Sequence, residues 1–234
     1  MHESVKSMIT NTEYDQRLHE TIKKLLDCKY GRKKQFSLFP NKKYSLGGMI
    51  NEEQYNNEQE KILVILKEAN DSNANSIKNY VNEIIIGNEK IIRTWRNIAR
   101  WVIAIKTYGT YEFKVIDDSK IIESLKEIAV TNINKSGASS RTNMSLLRSK
   151  SLIQSEVILN EIDVLKPTKI LCGNTYQIIC EIIGKKEEKE RDCCIYNDII
   201  FINMCHPQAM IKDIEMYSKI CSIVKNNKCL STFK

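Results

Sequence analysis

The sequence predicts an α/β protein, a three-layer α/β/α sandwich around a four-stranded parallel sheet. Two observations carry that expectation. KILVILK (61–67), EIAVTNI (127–133), TKILCG (168–173) and DIIFINM (198–204) are short, nearly continuous apolar runs, as strands buried on both faces require. Between them the apolar residues recur at helical spacing, and strands that alternate with helices build a parallel sheet covered on both sides.

In chain order, residues 1–55 read as a mostly polar extension with one helical segment, YDQRLHETIKKLLD, and the sandwich domain spans 56–234. After the first run, SNANSIKNYVNEI begins a helix. In KIIRTWRNIARWVIAIKTY, Ile91, Trp95, Ile98, Val102 and Ile105 make one apolar stripe, and Arg93, Arg96 and Arg100 make a second, basic one. SLIQSEVILNEIDVLKP reads as one long helix that ends before Pro167, which cannot continue it. Asn174 is placed to cap TYQIICEIIG and Gly184 to close it. KKEEKERD (185–192) is a solvated charge run, and a last helix covers about Ala209 to Lys225. No repeat or low-complexity linker interrupts this order.

Composition narrows the classes. With 42% hydrophobic and 28% charged residues the chain has the balance of a soluble globular protein. No run approaches the roughly 18 apolar residues of a membrane helix, and MHESVKSMITNTEYDQRLHE is too polar for a secretory signal. A cytoplasmic protein is expected, with no membrane partner. Eight cysteines without a C-x-x-C pair argue against a disulfide framework or a spacing-encoded metal site, and several sit in apolar runs as small core residues. No metal and no cofactor is expected. The phosphate-loop patterns G-x-G-x-x-G and G-x-x-x-x-G-K-[ST] and the serine-hydrolase turn G-x-S-x-G are all missing. Lys plus Arg exceed Asp plus Glu by 36 to 29, a net charge of +7, which suits a polyanionic partner. Arg32, Lys33, Lys34, Lys42 and Lys43 interleave with Tyr30, Phe36, Phe39 and Tyr44. That pattern can hold a nucleic-acid strand by stacking and phosphate contact; the plainer alternative is a solvated lead-in anchored by its aromatics.

In open α/β sheets ligands bind beyond the carboxyl ends of the strands. The residues that follow the four runs are Glu68-Ala69-Asn70-Asp71, Asn132-Ile133-Asn134-Lys135, Gly173-Asn174 and His206-Pro207. The other two histidines, His2 and His19, lie in the extension. His206 alone stands at the mouth of the sheet, with carboxylates and amides around it.

KILVILKEAND, AVTNINK, EIDVLKPTKILCGNTY and FINMCHPQA, in this order, resemble the motifs of the uracil-DNA glycosylase superfamily. The resemblance covers about residues 58–226. It implies the family fold and hydrolysis of the N-glycosidic bond of uracil, or another modified or damaged base, flipped out of DNA. Two departures bear on the substrate. The first loop carries neither glycine nor proline, which implies a differently shaped floor and leaves open a base other than uracil, including modifications peculiar to viral DNA. SGASSRTN follows the second motif where the cluster-bearing branch has cysteine and prolines, so no iron–sulfur cluster is expected.

Glycosidic cleavage builds negative charge on the base and positive charge on the sugar. The resemblance makes His206 the donor to the leaving base, and Glu68 the carboxylate that serves sugar or water, with Asp71 as second candidate. Either carboxylate could instead favour the dipole of the following helix. Asn132, with Asn70, would read the base; a strand-end turn is the alternative for Asn132. Lys135 would meet a phosphate or buttress its loop. Asn174 is a helix cap whose helix start also offers N–H groups to phosphate. Pro207, Gln208 and Met210 form the loop that would enter the groove and fill the vacated stack. Arg93, Arg96 and Arg100 would grip phosphate or form an exposed helical face. The resemblance thus implies DNA as the partner, single- or double-stranded, and a monomer is expected. A catalytically inactive binding module of the same fold, or a nucleoside or nucleotide hydrolase, are the alternatives.

Overall fold

The computed structural model describes Glu20 and residues 47–68, 77–135 and 142–226. The basic and aromatic stretch 30–44, the YDQRLHETIKKLLD segment apart from Glu20, Asn70 and Asp71 lie outside the described residues. The fold is α/β: a six-stranded, mostly parallel mixed sheet flanked by helices.

The strands are β1 (Gly48–Met49), β2 (Ile62–Leu66), β3 (Ile128–Asn132), β4 (Lys169–Gly173), β5 (Cys193–Tyr196) and β6 (Ile199–Met204), in the order β1-β3-β2-β4-β6-β5. The helices are α1 (Glu52–Asn57), α2 (Ile77–Ile85), α3 (Arg93–Lys106), α4 (Asp118–Lys126), α5 (Met144–Ile153), α6 (Ser155–Leu165), α7 (Tyr176–Ile182) and α8 (Asp213–Asn226). The four apolar runs are the four central strands, and they pair in parallel.

Both faces of these strands are buried, which is why their sequences do not alternate. Ile62, Val64 and Leu66 of β2 join Trp95, Trp101, Leu125 and Ile220 under α2, α3, α4 and α8. Leu63 and Ile65 join Tyr55, Leu147, Ile158 and Ile179 under α1, α5, α6 and α7. No helix among the described residues is long and apolar enough to cross a membrane.

Three expectations are corrected. The sheet has six strands rather than four, because an antiparallel edge strand closes each side: β1 pairs with β3, and β5 with β6. The β5–β6 hairpin turns on Asn197 and Asp198 at φ 47° and 60°, the positive-φ pair that a two-residue hairpin loop needs. The segment 151–167 is not one helix, since α5 ends at Ile153 and α6 begins at Ser155. Between them Gln154 turns its amide into the interior. Finally, Asn174 does not cap α7. It sits at φ 61°, and Thr175 is the cap residue, with its hydroxyl donated to the Ile65 carbonyl at 3.0 Å.

Candidate active site

All four parallel strands end along one edge, and their exit loops stay paired beyond the sheet. The N–H of Ile133 reaches the carbonyl of Leu66 at 2.8 Å, and that of Asn134 reaches Lys67 at 3.0 Å. The N–H of Asn174 reaches the carbonyl of Met204 at 2.8 Å. Glu68, Asn132, Gly173 and His206 are therefore gathered at this edge. At its centre, a Cβ built on Gly173 would stand 2.8 Å from Leu66 Cδ2 and 3.5 Å from Pro207 Cδ. The absence of a side chain lets the exit loops of β2 and β6 close over β4.

On the β3 side, Glu68 Oε2 accepts a hydrogen bond from Asn134 Nδ2 at 3.0 Å. Behind it lies a buried polar chain. Gln154 Nε2 donates to Asn134 Oδ1 at 3.4 Å, while Gln154 Oε1 accepts from the Lys135 N–H at 3.1 Å. Lys135 Nζ donates to Thr131 Oγ1 at 2.6 Å and forms an ion pair with Glu161 of α6. The Thr131 hydroxyl, in turn, lies 3.1 Å from each Glu161 oxygen. Burial pushes the Lys135 ammonium below its ordinary pKa, and the charge and hydrogen bond of Glu161 oppose the shift. With no exposed surface, Lys135 does not meet a phosphate. It buttresses the second loop from inside. Asn132 is buried at the end of β3, level with Leu66.

On the β6 side, His206 Nδ1 accepts the Gln208 N–H at 3.2 Å. Neutral imidazole accepts at one nitrogen and carries its proton on the other, so Nε2–H is the donor. Burial, and then the positive charge of Lys67, lower its pKa to about 4. At neutral pH His206 is an uncharged donor.

The helix α3 holds the loop that follows. Asn97 Nδ2 donates to the Pro207 carbonyl at 2.9 Å and to Asp213 Oδ1 at 3.2 Å. Arg93 Nε meets Asp213 Oδ1 at 2.7 Å, and a second Arg93 nitrogen donates to the Ile211 carbonyl. Arg100 reaches Asp213 Oδ2 at 3.0 Å, with its guanidinium carbon 4.5 Å from the Phe113 ring centre. Burial would raise the Asp213 pKa, but hydrogen bonds from Arg93, Asn97 and Arg100 outweigh it and hold the carboxyl below its ordinary value. Arg96 makes a two-pronged pair with Asp118, one arm at 3.0 Å. The basic stripe is thus corrected: each arginine is engaged by a carboxylate and ties helices and loop together. The stripe is therefore not a free helical face.

Beyond the clamp the loop is open. Gln208 is exposed, and Met210 is 101% exposed, as in an isolated residue. Asn174 is also at the surface. Among the described residues no cluster of His, Cys, Asp or Glu could hold a metal ion.

Sequence reasoning gave no role to Asn134, Gln154, Glu161, Asn97, Asp213 or Lys67. One signal was present: residues 93, 97 and 100 recur at helical spacing, so Asn97 belongs to the face of Arg93 and Arg100. No family model and no curated protein matches the chain.

Proposed function

We propose that the chain is a monofunctional DNA glycosylase with a uracil-DNA-glycosylase-like α/β/α sandwich, acting as a monomer on a base extruded from DNA. The observation that carries this reading is His206. An imidazole whose Nδ1 accepts the Gln208 N–H presents Nε2–H as a fixed hydrogen-bond donor to the oxygen of a departing base. Charge on the base oxygen grows only in the transition state, so a fixed donor there stabilises that state more than the substrate.

Glu68 supports the second half of the chemistry. It leaves β2 two strand spacings from β6, about 10 Å in backbone terms, and Asn134 holds its carboxylate. Between them Gly173 adds no side chain. A sugar and base spanning this gap would have the carboxylate on the side of C1′ and the imidazole on the side of the base. The C1′–N bond breaks and the base leaves with its electron pair as an anion, its oxygen hydrogen-bonded by His206. Water oriented by Glu68 adds to C1′ and gives up a proton to that carboxylate, and the released base takes one from solvent. Asn132 and Asn70 are the candidates to read the base edge, and Asp71 is the second candidate for the carboxylate role. Pro207, Gln208 and the exposed Met210 suit entry into the groove, where an apolar wedge offsets the roughly few kcal/mol lost by unstacking.

The test is base release from oligonucleotides bearing uracil, hypoxanthine, xanthine or modified cytosines and thymines, read by alkali cleavage at abasic sites. Release from one of them that falls about 100-fold or more in His206→Ala and Glu68→Ala supports the reading and identifies the base. Salt-dependent DNA binding without release would point to a binding module instead. Turnover of free nucleosides would point to a small-molecule hydrolase.

A further inference from the structure

We propose that Asn97 is the positioning residue for His206, setting its proton on Nε2 through the peptide plane between Pro207 and Gln208. The consequence for catalysis rests on the glycosylase reading; the geometry stands without it.

The argument begins with the peptide unit. The Pro207 carbonyl and the Gln208 N–H belong to one planar trans amide, so they point in opposite directions. Asn97 Nδ2 holds the carbonyl at 2.9 Å, and the N–H at the other end of the plane donates to His206 Nδ1 at 3.2 Å. Fixing one end aims the other. If this plane turned, Nδ1 would lose its donor, and the imidazole could protonate there or switch tautomer.

Asn97 is itself held in one orientation. Its Oδ1 accepts from Arg100 at 3.1 Å, and its Nδ2 faces a carbonyl and the Asp213 carboxylate. A reversed amide would set oxygen against both acceptors. The side chain is 1% exposed, so those partners are what make its burial tolerable. Farther along the loop, Arg93 holds the Ile211 carbonyl, and Asp213 anchors Arg93, Asn97 and Arg100 together. Within the loop, the N–H of Ala209 reaches the His206 carbonyl at 2.8 Å. The charged groups near this arrangement are Lys67 at the end of β2, Arg93 and Arg100 on α3, and Asp213 and Lys219 on α8. Lys67 reinforces the neutral imidazole.

The test uses the full chain without DNA. Long-range 1H–15N spectra report the tautomer and pKa of His206, with His206→Gln assigning its signal apart from His2 and His19. The wild type is expected to show the Nε2–H tautomer and to titrate near pH 4. Asn97→Leu is expected to raise that pKa by a unit or more and to populate the Nδ1–H tautomer. Circular dichroism reports whether the variant folds. If it does not, Asp213→Asn, which keeps the shape and weakens the anchor, should shift the pKa in the same direction by less. A folded variant whose His206 keeps its wild-type tautomer and pKa overturns the proposal. On a substrate that the wild type cleaves, the same variant should lose about 10- to 100-fold in kcat with little change in KM. A wild type that releases no base sinks the glycosylase reading, while the spectra still decide the role of Asn97.

Discussion

The two sides of the candidate site are both held by ion pairs, but of opposite kinds. On the β3 side Lys135 and Glu161 are each 1% exposed and support Glu68 through Gln154 and Asn134. On the β6 side Arg93 is 41% exposed, Arg100 14% and Asp213 29%, and they hold the loop of His206. A dry pair has lost the solvation of both charges, so each depends on the other. A wet clamp loses less, and water can replace either partner. One side couples the site to the stability of the fold. The other sets a loop's position at little cost to stability.

Breaking the dry pair should have the largest effect. Lys135→Met leaves Glu161 buried without its cation, and should cost about 3–5 kcal/mol in urea denaturation. Adding Glu161→Leu should recover most of it, short of about 1 kcal/mol for the Thr131 hydroxyl left without its acceptor. A double variant as unstable as the single would show that the ion pair itself holds this side. On the wet side, Asp213→Ala should cost only about 1–2 kcal/mol, because Arg93 regains water while the deeper Arg100 loses a partner. A loss as large as that of Lys135→Met would erase the contrast.

The pH dependence sharpens the comparison further. A histidine with a folded pKa near 4, and an unfolded one near 6.5, binds its proton more tightly in the unfolded chain between those values. Its neutral burial therefore contributes fully above pH 6.5, and the contribution declines as pH falls toward 4. Followed from pH 7 down to 4, the wild type should lose stability relative to His206→Gln, which has no imidazole to take up a proton on unfolding. Parallel curves would place His206 in water. The smallest effect on the fold belongs to Met210→Ala at the exposed tip, within about 0.5 kcal/mol of wild type. If the loop enters DNA, that change should still weaken binding several-fold, measured by fluorescence anisotropy; unchanged affinity would remove Met210 from the interface.

How far the sequence reads depends on the range of the interaction. The four apolar runs and the stripe of Trp95, Ile98, Val102 and Ile105 were legible, since burial on two faces, or on one helical face, is written in consecutive residues. The position of His206 at a strand end followed from the same runs. By contrast, β1 has only two residues, too few to show a pattern, and β5 follows a charge run that masks it. The hairpin signal at Asn197-Asp198 was present but passed unread. The carboxylate partners of Lys135 and the three arginines were not legible for a plain reason. A cation's type does not say whether a carboxylate awaits it, and those partners are 22 to 120 residues away.

The sequence by itself thus determined the parallel strands, the helices between them and the edge where Glu68, Asn132 and His206 collect, because each follows from local periodicity and from where an apolar run stops. Only the tertiary structure decided which charges are spent inside the fold, that Asn134 holds Glu68, and that Asn97 holds the Pro207 carbonyl beside His206. Those choices depend on side chains brought together from distant segments, at separations of a few ångströms that no local pattern encodes.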